Sequence, residues 1–390
     1  MVRSVPQLDI DPYSLEALAD PYPNYRRVRD TGPVVYLPKY GVYALGRFDE
    51  VRDALANWRS FSSAQGVAMN DVMNAAIAGG TLGSDDPHHA ALRAIVGRPL
   101  SPARLAQLRK VIFDRAEVLV ENLVVQGRFD AATELAQHLP LTVVSELVGL
   151  PEDGRSRMLV WAAANFNSLG PRGVPLTEEA LPIIREMVDY AYSCTRDRIK
   201  PGSWVAELYE ASDRGEIASN QVAALMNDYV GPSLDTTIFA ISNLIFLFAQ
   251  YPEQWARLRS NPAKIPNAIN ESIRLESPAQ SLSRMTVRDV RIGDYPIPKG
   301  SRFSLMFASA NRDERKWTDP DIFDIDRRTT DHLGFGHGIH TCLGANLARL
   351  EIAAIVSALV KRVERIELVG AERRLNNVLR GFGRLEVKVH

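Results

Sequence analysis

Apolar side chains recur at helical spacing through most of the 390-residue chain, while strand-like alternation is confined to short patches. Residues 21–29 and 49–57 read as helices. Between them, residues 34–45 set β-branched and aromatic runs around a Pro/Gly turn, which predicts a hairpin. Over residues 61–82 the pattern fails. Small and apolar residues mix there with Gly66, Gly79 and Gly80, so a long loop with at most a short helix is expected, and loops of that length usually serve function. Helices then dominate from 88 to 250, with Gly or Pro breaks near 126–127, 149–151, 170–175 and 215. Two further β patches are predicted, at 287–303 and 375–389, with an apolar helix between them at 343–363. The sum is mainly α with small β-sheets, not a doubly wound βαβ alternation.

The longest helical stretch, residues 222–250, would run about 43 Å, with Ser219 or Asn220 able to cap its start. Pro232 in its middle removes an N–H and crowds the carbonyl of residue 228, so the helix must open or kink there. The kink adjoins Asp235-Thr236 in otherwise apolar surroundings. A threonine so placed often only returns a hydrogen bond to its own turn.

Composition narrows the class. Hydrophobic residues at 46% suffice for a large core, and no Gly/Ser linker, repeat or low-complexity stretch divides the chain, so 1–390 is read as a single domain. A net charge of −1 gives no reason to expect nucleic acid or an anionic membrane as partner. Two cysteines point to a reducing compartment without a disulfide framework. Residues 1–11 hold no apolar core for a signal peptide, and the apolar run 238–249 is too short to span a bilayer.

The chemistry concentrates in Phe335-Gly336-His337-Gly338-Ile339-His340-Thr341-Cys342-Leu343-Gly344. Its glycines let the backbone pass close to a flat object. Cys342 opens a helix, where the dipole and unpaired N–H groups favour a thiolate, and such a sulfur is a recognised axial ligand of haem iron. A zinc site from His332, His337, His340 and Cys342 is the weaker alternative, since the spacing is crowded and the glycines would go unexplained. Cys194 has no such surroundings and reads as a buried structural residue.

This run resembles the haem-binding loop of the cytochrome P450 family, and other landmarks follow in order along essentially the whole chain. The resemblance implies a P450-like fold, haem b held by Cys342, and insertion of one atom of O2 into an organic substrate. It implies that Thr236 is the hydroxyl beside the bound oxygen and that Asp235 passes protons in from solvent. Pro232 and Ser233 depart from the Ala and Gly usual there. Glu271 and Arg274 resemble the family's Glu-x-x-Arg helix, with Arg327, next to Arg328, as third member. His89, Arg93, Arg284 and His340 match positions that bind the haem propionates.

Pocket positions implied are Gln65, Ala68, Phe166, Leu169, Gly231, Pro232, Ala279, Leu282 and Phe382. Residues 61–67 and 277–284 look like a bacterial branch that oxidises para-substituted benzoates through an arginine and a serine. The corresponding positions here, Gln65, Ala68, Asn227 and Asp228, offer no cation, and Asp228 would repel an anion. A neutral small aromatic or terpenoid-like substrate is therefore expected. Electrons are expected from a ferredoxin and its reductase, docking near Arg98, Arg104 and Arg349, in a cytoplasmic protein. A peroxide-driven peroxygenase and a non-catalytic haem sensor are the alternatives; the Asp235-Thr236 pair argues against both.

Overall fold

The computed structural model describes residues 4–390. Helix Tyr22–Thr31, strands Val35–Leu37 and Val42–Leu45, and helix Phe48–Ala56 form where the pattern predicts them. Gly41 turns the hairpin with φ +64°, a conformation that favours glycine. Arg302–Leu305, Leu282–Thr286 and Phe61–Ser62 extend this hairpin into a five-stranded sheet. Only the contact between Val42–Leu45 and Arg302–Leu305 is parallel. Two segments far apart in sequence thus share one sheet, and the 61–82 loop leaves from its edge. Within that loop lies one short helix, Asp71–Ala76, capped by Asn70.

A second sheet orders Arg128–Asp130, Gly381–Val389 and Ile366–Arg374. The pattern starts this β region at 375 and misses Ile366–Arg374. That strand is largely accessible and charged, so its apolar alternation is faint, and backbone pairing with Gly381–Val389 makes it a strand.

The long helix is in fact two, Gln221–Val230 and Asp235–Gln250, separated by an opened turn at 231–234 that contains Pro232. The 221–250 stretch is long and apolar enough to cross a membrane by length and composition, yet 72% of its most apolar window is packed inside the protein. Helix Asp235–Gln250 runs through the core against Ala131–Ala136, Ile265–Leu275 and Gly381–Val389. Phe239 and Phe248 are fully buried there, each contributing about 1.5–3 kcal/mol of hydrophobic stabilisation. A Cβ at Gly381 would lie 2.1 Å from the Phe239 ring, so the strand reaches the helix only through glycine. Helix Ala345–Arg362, which follows Cys342, is backed by Pro102–Gln126.

Candidate active site

The cysteine loop is a set of backbone turns. Gly336 and Gly338 take φ +72° and +74°, and a Cβ at Gly338 would come 2.7 Å from the Leu55 carbonyl oxygen, so helix Phe48–Ala56 packs directly on the loop. The Cys342 N–H donates to the Phe335 carbonyl at 2.8 Å, which closes the turn and aims the side chain. Its thiol is enclosed by protein yet keeps accessible surface, so it faces an internal space and is not packed away. Burial pushes the thiol up, against the pull of the Gly344 and Ala345 N–H groups and the Arg93 and Arg349 guanidinium groups. The helix start therefore does not by itself produce a thiolate, as the sequence reading expects; a bound metal cation would reverse the balance.

All four predicted propionate partners gather beside this loop. Arg93 donates to the Thr341 carbonyl. The His89 and His340 rings lie 4.3 Å apart, and among the described residues neither buried Nε2 has a hydrogen-bond partner. Burial lowers His89 and drives His340 down to about 4, so both imidazoles are neutral. Arg284 is 2% exposed, and burial lowers it to about 10. Among the described residues its hydrogen bond goes only to the neighbouring Ser283 carbonyl, at 2.7 Å.

Asp85, which the sequence reading missed, organises the cluster. Burial raises its carboxyl, but the nearby His340 imidazole and hydrogen bonds from Ser62 and Ser63 hold it below the usual range. It stands 4.0 Å from His340 Nε2, too far for a hydrogen bond. Buried guanidinium and imidazole groups without full partners fit a dianionic group such as the two propionates of haem. They do not fit zinc: among the described residues no three His, Cys, Asp or Glu side chains converge. His332 lies in the core with Nδ1 accepting the Gly334 N–H, and His337 is exposed.

At the opened helix turn, the Thr236 hydroxyl donates to the Pro232 carbonyl at 3.0 Å. Asp235 is 1% exposed with Oδ2 unpartnered, and burial lifts its carboxyl to about 6, partly offset by Arg374. It is sealed from bulk solvent, so any proton it passes must cross protein or water inside the fold.

Glu271 and Arg274 are both fully buried and paired twice, at 2.7 and 2.8 Å. Arg327 donates to Glu271 at 3.1 Å, while Arg328 is exposed, which settles the third member. Arg274 also holds the carbonyls of Asn311 and Pro320, at 2.8 and 2.7 Å, tying the segment before the cysteine loop to helix Ile265–Leu275.

The pocket positions divide. Ala68 is buried, with its backbone held by the Asn74 side chain. The Leu169 carbonyl accepts the Met69 N–H at 2.8 Å, joining the loop to the end of helix Met158–Asn167, which carries Phe166. Gly231 packs against Asn165 from that helix. Ala279 bridges Leu379, and Leu282 pairs with Leu305 in the sheet. Gln65 and Pro232 keep accessible surface. Phe382 belongs elsewhere: its ring lies 4.8 Å from Phe246, three turns beyond Asp235, with Arg373 stacked 3.8 Å above it. The residues opposite Ala279 are Val378 and Leu379, two positions too short for a strand pattern to single out.

Of the proposed docking arginines, Arg98 pairs with Glu216 at 2.6 Å and Arg104 with Glu207 at 3.0 Å. Arg349 alone adjoins the cysteine loop, stacked 4.4 Å over Phe335.

A family profile described as Cytochrome P450 matches residues 183–375. Cytochrome P450 CYP199A2 of Rhodopseudomonas palustris is 37% identical over 99% of this chain and 95% of its own. A beta-dihydromenaquinone-9 omega-hydroxylase of Mycobacterium tuberculosis is 32% identical over 98% of this chain and 78% of its own. Among solved structures, CalO2 superposes with a TM-score of 0.85 at 26% identity, covering 98% of this chain and 99% of that one. CYP109E1 of Bacillus megaterium, solved with testosterone, gives 0.86 at 24% identity over 96% and 99%, and shares the fold.

Proposed function

The chain belongs to the cytochrome P450 family, and as a monooxygenase of that family we propose that it oxidises a small, largely apolar organic substrate carrying no negative charge, by hydroxylation or O-dealkylation. The observation that carries this reading is the arrangement around Cys342: one inward-facing sulfur at a helix start, ringed by His89, Arg93, Arg284 and His340. Cys342 would ligate haem b and the four cation-capable side chains would hold its propionates. Haem, when bound, supplies O2 activation driven by the electron push of the sulfur.

The remaining chemistry is the chain's own. Thr236 holds a hydroxyl proton at the opened turn, steered by the Pro232 carbonyl. Asp235, whose carboxyl is poised near neutrality, would keep and release a proton at Oδ2, a general-acid role. Apolar Ala68, Leu169, Ala279 and Leu282 would exclude water from the reaction space. Gln65, Ala68, Asn227 and Asp228 provide no cation for a carboxylate, which supports a non-anionic substrate.

Electrons would come from a separate ferredoxin and its reductase in the cytoplasm, with O2 and the substrate as the small-molecule partners. Arg349 stays the docking candidate, since Arg98 and Arg104 already have acidic partners. The whole of 1–390 would act as one domain.

The test is the spectrum of the reduced carbon monoxide complex. A strongly red-shifted Soret band in wild type, lost in Cys342→Ser, supports the assignment; the same spectrum in both would reject it.

A further inference from the structure

On the two-part helix, which is otherwise mostly buried, Ala224, Asp228, Pro232 and Thr236 recur every four residues and all keep accessible surface. They mark one face, and by the function proposed above, on which this inference rests, that face lines the substrate space. Asp228 keeps accessible surface although protein surrounds it, and by the same reading its carboxylate faces this space. Its donors belong to the tip of the 61–82 loop: the Thr81 N–H at 2.8 Å, together with the Thr81 hydroxyl. A Cβ at Gly80 would lie 3.0 Å from Asp228 Oδ1, so a glycine lets the loop backbone come this close.

What Asp228 lacks is a counter-charge. Among the described residues no lysine, arginine or histidine pairs with it. The buried carboxylates of the fold's frame are neutralised: Glu271 by Arg274 and Arg327, Glu276 by Arg312, Arg373 and Arg380. Glu351 also lacks a partner, but it is sealed in the core and pushed up to about 8, so it stays neutral. An enclosed carboxylate that faces a ligand space without its cation is costly unless the ligand brings one.

We propose that Asp228 recognises a protonated amine at one end of the substrate. The other end then lies beside Thr236, eight residues on and past the opened turn, where oxidation occurs. This replaces the expectation of a neutral substrate with one of a cationic head on an apolar body.

Three probes of matched shape test it: 4-ethylbenzylamine, 4-ethylbenzyl alcohol and 4-ethylbenzoate, bound to holoenzyme at pH 7.5 and followed by calorimetry and the Soret band. Wild type should bind the amine at least about tenfold more tightly than the alcohol, as a charge-assisted bond warrants, and the benzoate most weakly. Asp228→Asn retains an oxygen for the Thr81 N–H and removes only the charge, so the amine-to-alcohol ratio should collapse to within about threefold. Equal affinities in wild type, a ratio unmoved by Asp228→Asn, or a Soret shift showing nitrogen on iron would each overturn the proposal. If the alcohol binds without amine preference, only the role of Asp228 fails. If none of the three binds while the carbon monoxide spectrum shows thiolate, the small-substrate reading fails with it.

Discussion

The imidazole of His89 lies tilted against that of His340, ring centres 4.3 Å apart, and among the described residues neither buried Nε2 has a hydrogen-bond partner. Neutral rings with unused ring nitrogens are poor structural filler, because each leaves a polar atom without compensation. They become favourable when an anionic group arrives. His340→Ala and Arg284→Ala should therefore release haem more readily, each lost charge-assisted bond costing about 1.5–3 kcal/mol. The check is the Soret-to-protein absorbance ratio after competition with apomyoglobin, where retention equal to wild type would remove both residues from the cofactor site.

Gly336 and Gly338 share a left-handed backbone, but a Cβ at Gly336 has 3.5 Å to its nearest atom and one at Gly338 only 2.7 Å. Gly336→Ala should carry only conformational strain, about 1–2 kcal/mol. Gly338→Ala should in addition push helix Phe48–Ala56 off the loop and impair haem incorporation. Thermal unfolding together with haem content ranks the two.

Removing Glu271 leaves Arg274 charged and fully buried, which costs about 3–5 kcal/mol. Arg327→Ala leaves Glu271 doubly paired with Arg274 and should cost less, and the exposed Arg328→Ala should stay within about 0.5 kcal/mol. Urea unfolding of Glu271→Ala, Arg327→Ala and Arg328→Ala should reproduce that order.

Burial raises the Asp235 carboxyl in the folded state above its value in the unfolded chain. A raised carboxyl favours the fold while protonated, and that contribution is lost as pH climbs through about 6. Asp235→Asn should remove the dependence. The stability of wild type relative to this variant should fall between pH 4 and pH 6 by up to about 3 kcal/mol and stay level above pH 7. Chemical unfolding at pH 4.5, 6 and 7.5 measures it; a difference that grows with pH would contradict the assignment.

Thr236→Ala removes the hydroxyl from the opened turn while leaving the Pro232 break in place. NADH consumption should continue with a ferredoxin system, but product per NADH should drop severalfold, because a positioned proton donor no longer serves the reaction. Product and peroxide assays on the same samples decide it, and unchanged coupling would exclude Thr236 from proton handling.

Much of this protein is written locally. Gly336, Gly338 and Cys342 announce themselves because a positive φ and a helix-start sulfur are demands made on single residues, and Pro232 breaks its helix for the same kind of reason. The Glu-x-x-Arg spacing of Glu271 and Arg274 is likewise a property of one helix face. Other features exist only through contacts between distant segments. Asp85 gains its meaning from Ser62, Ser63 and His340. Strand Ile366–Arg374 is held by pairing and not by pattern, and Phe382 was drawn to Phe246, leaving Leu379 opposite Ala279. The uncompensated charge of Asp228 is of this second kind too. No sequence shows which arginines fail to reach a carboxylate, because long-range packing sets burial, and burial sets the cost of a charge.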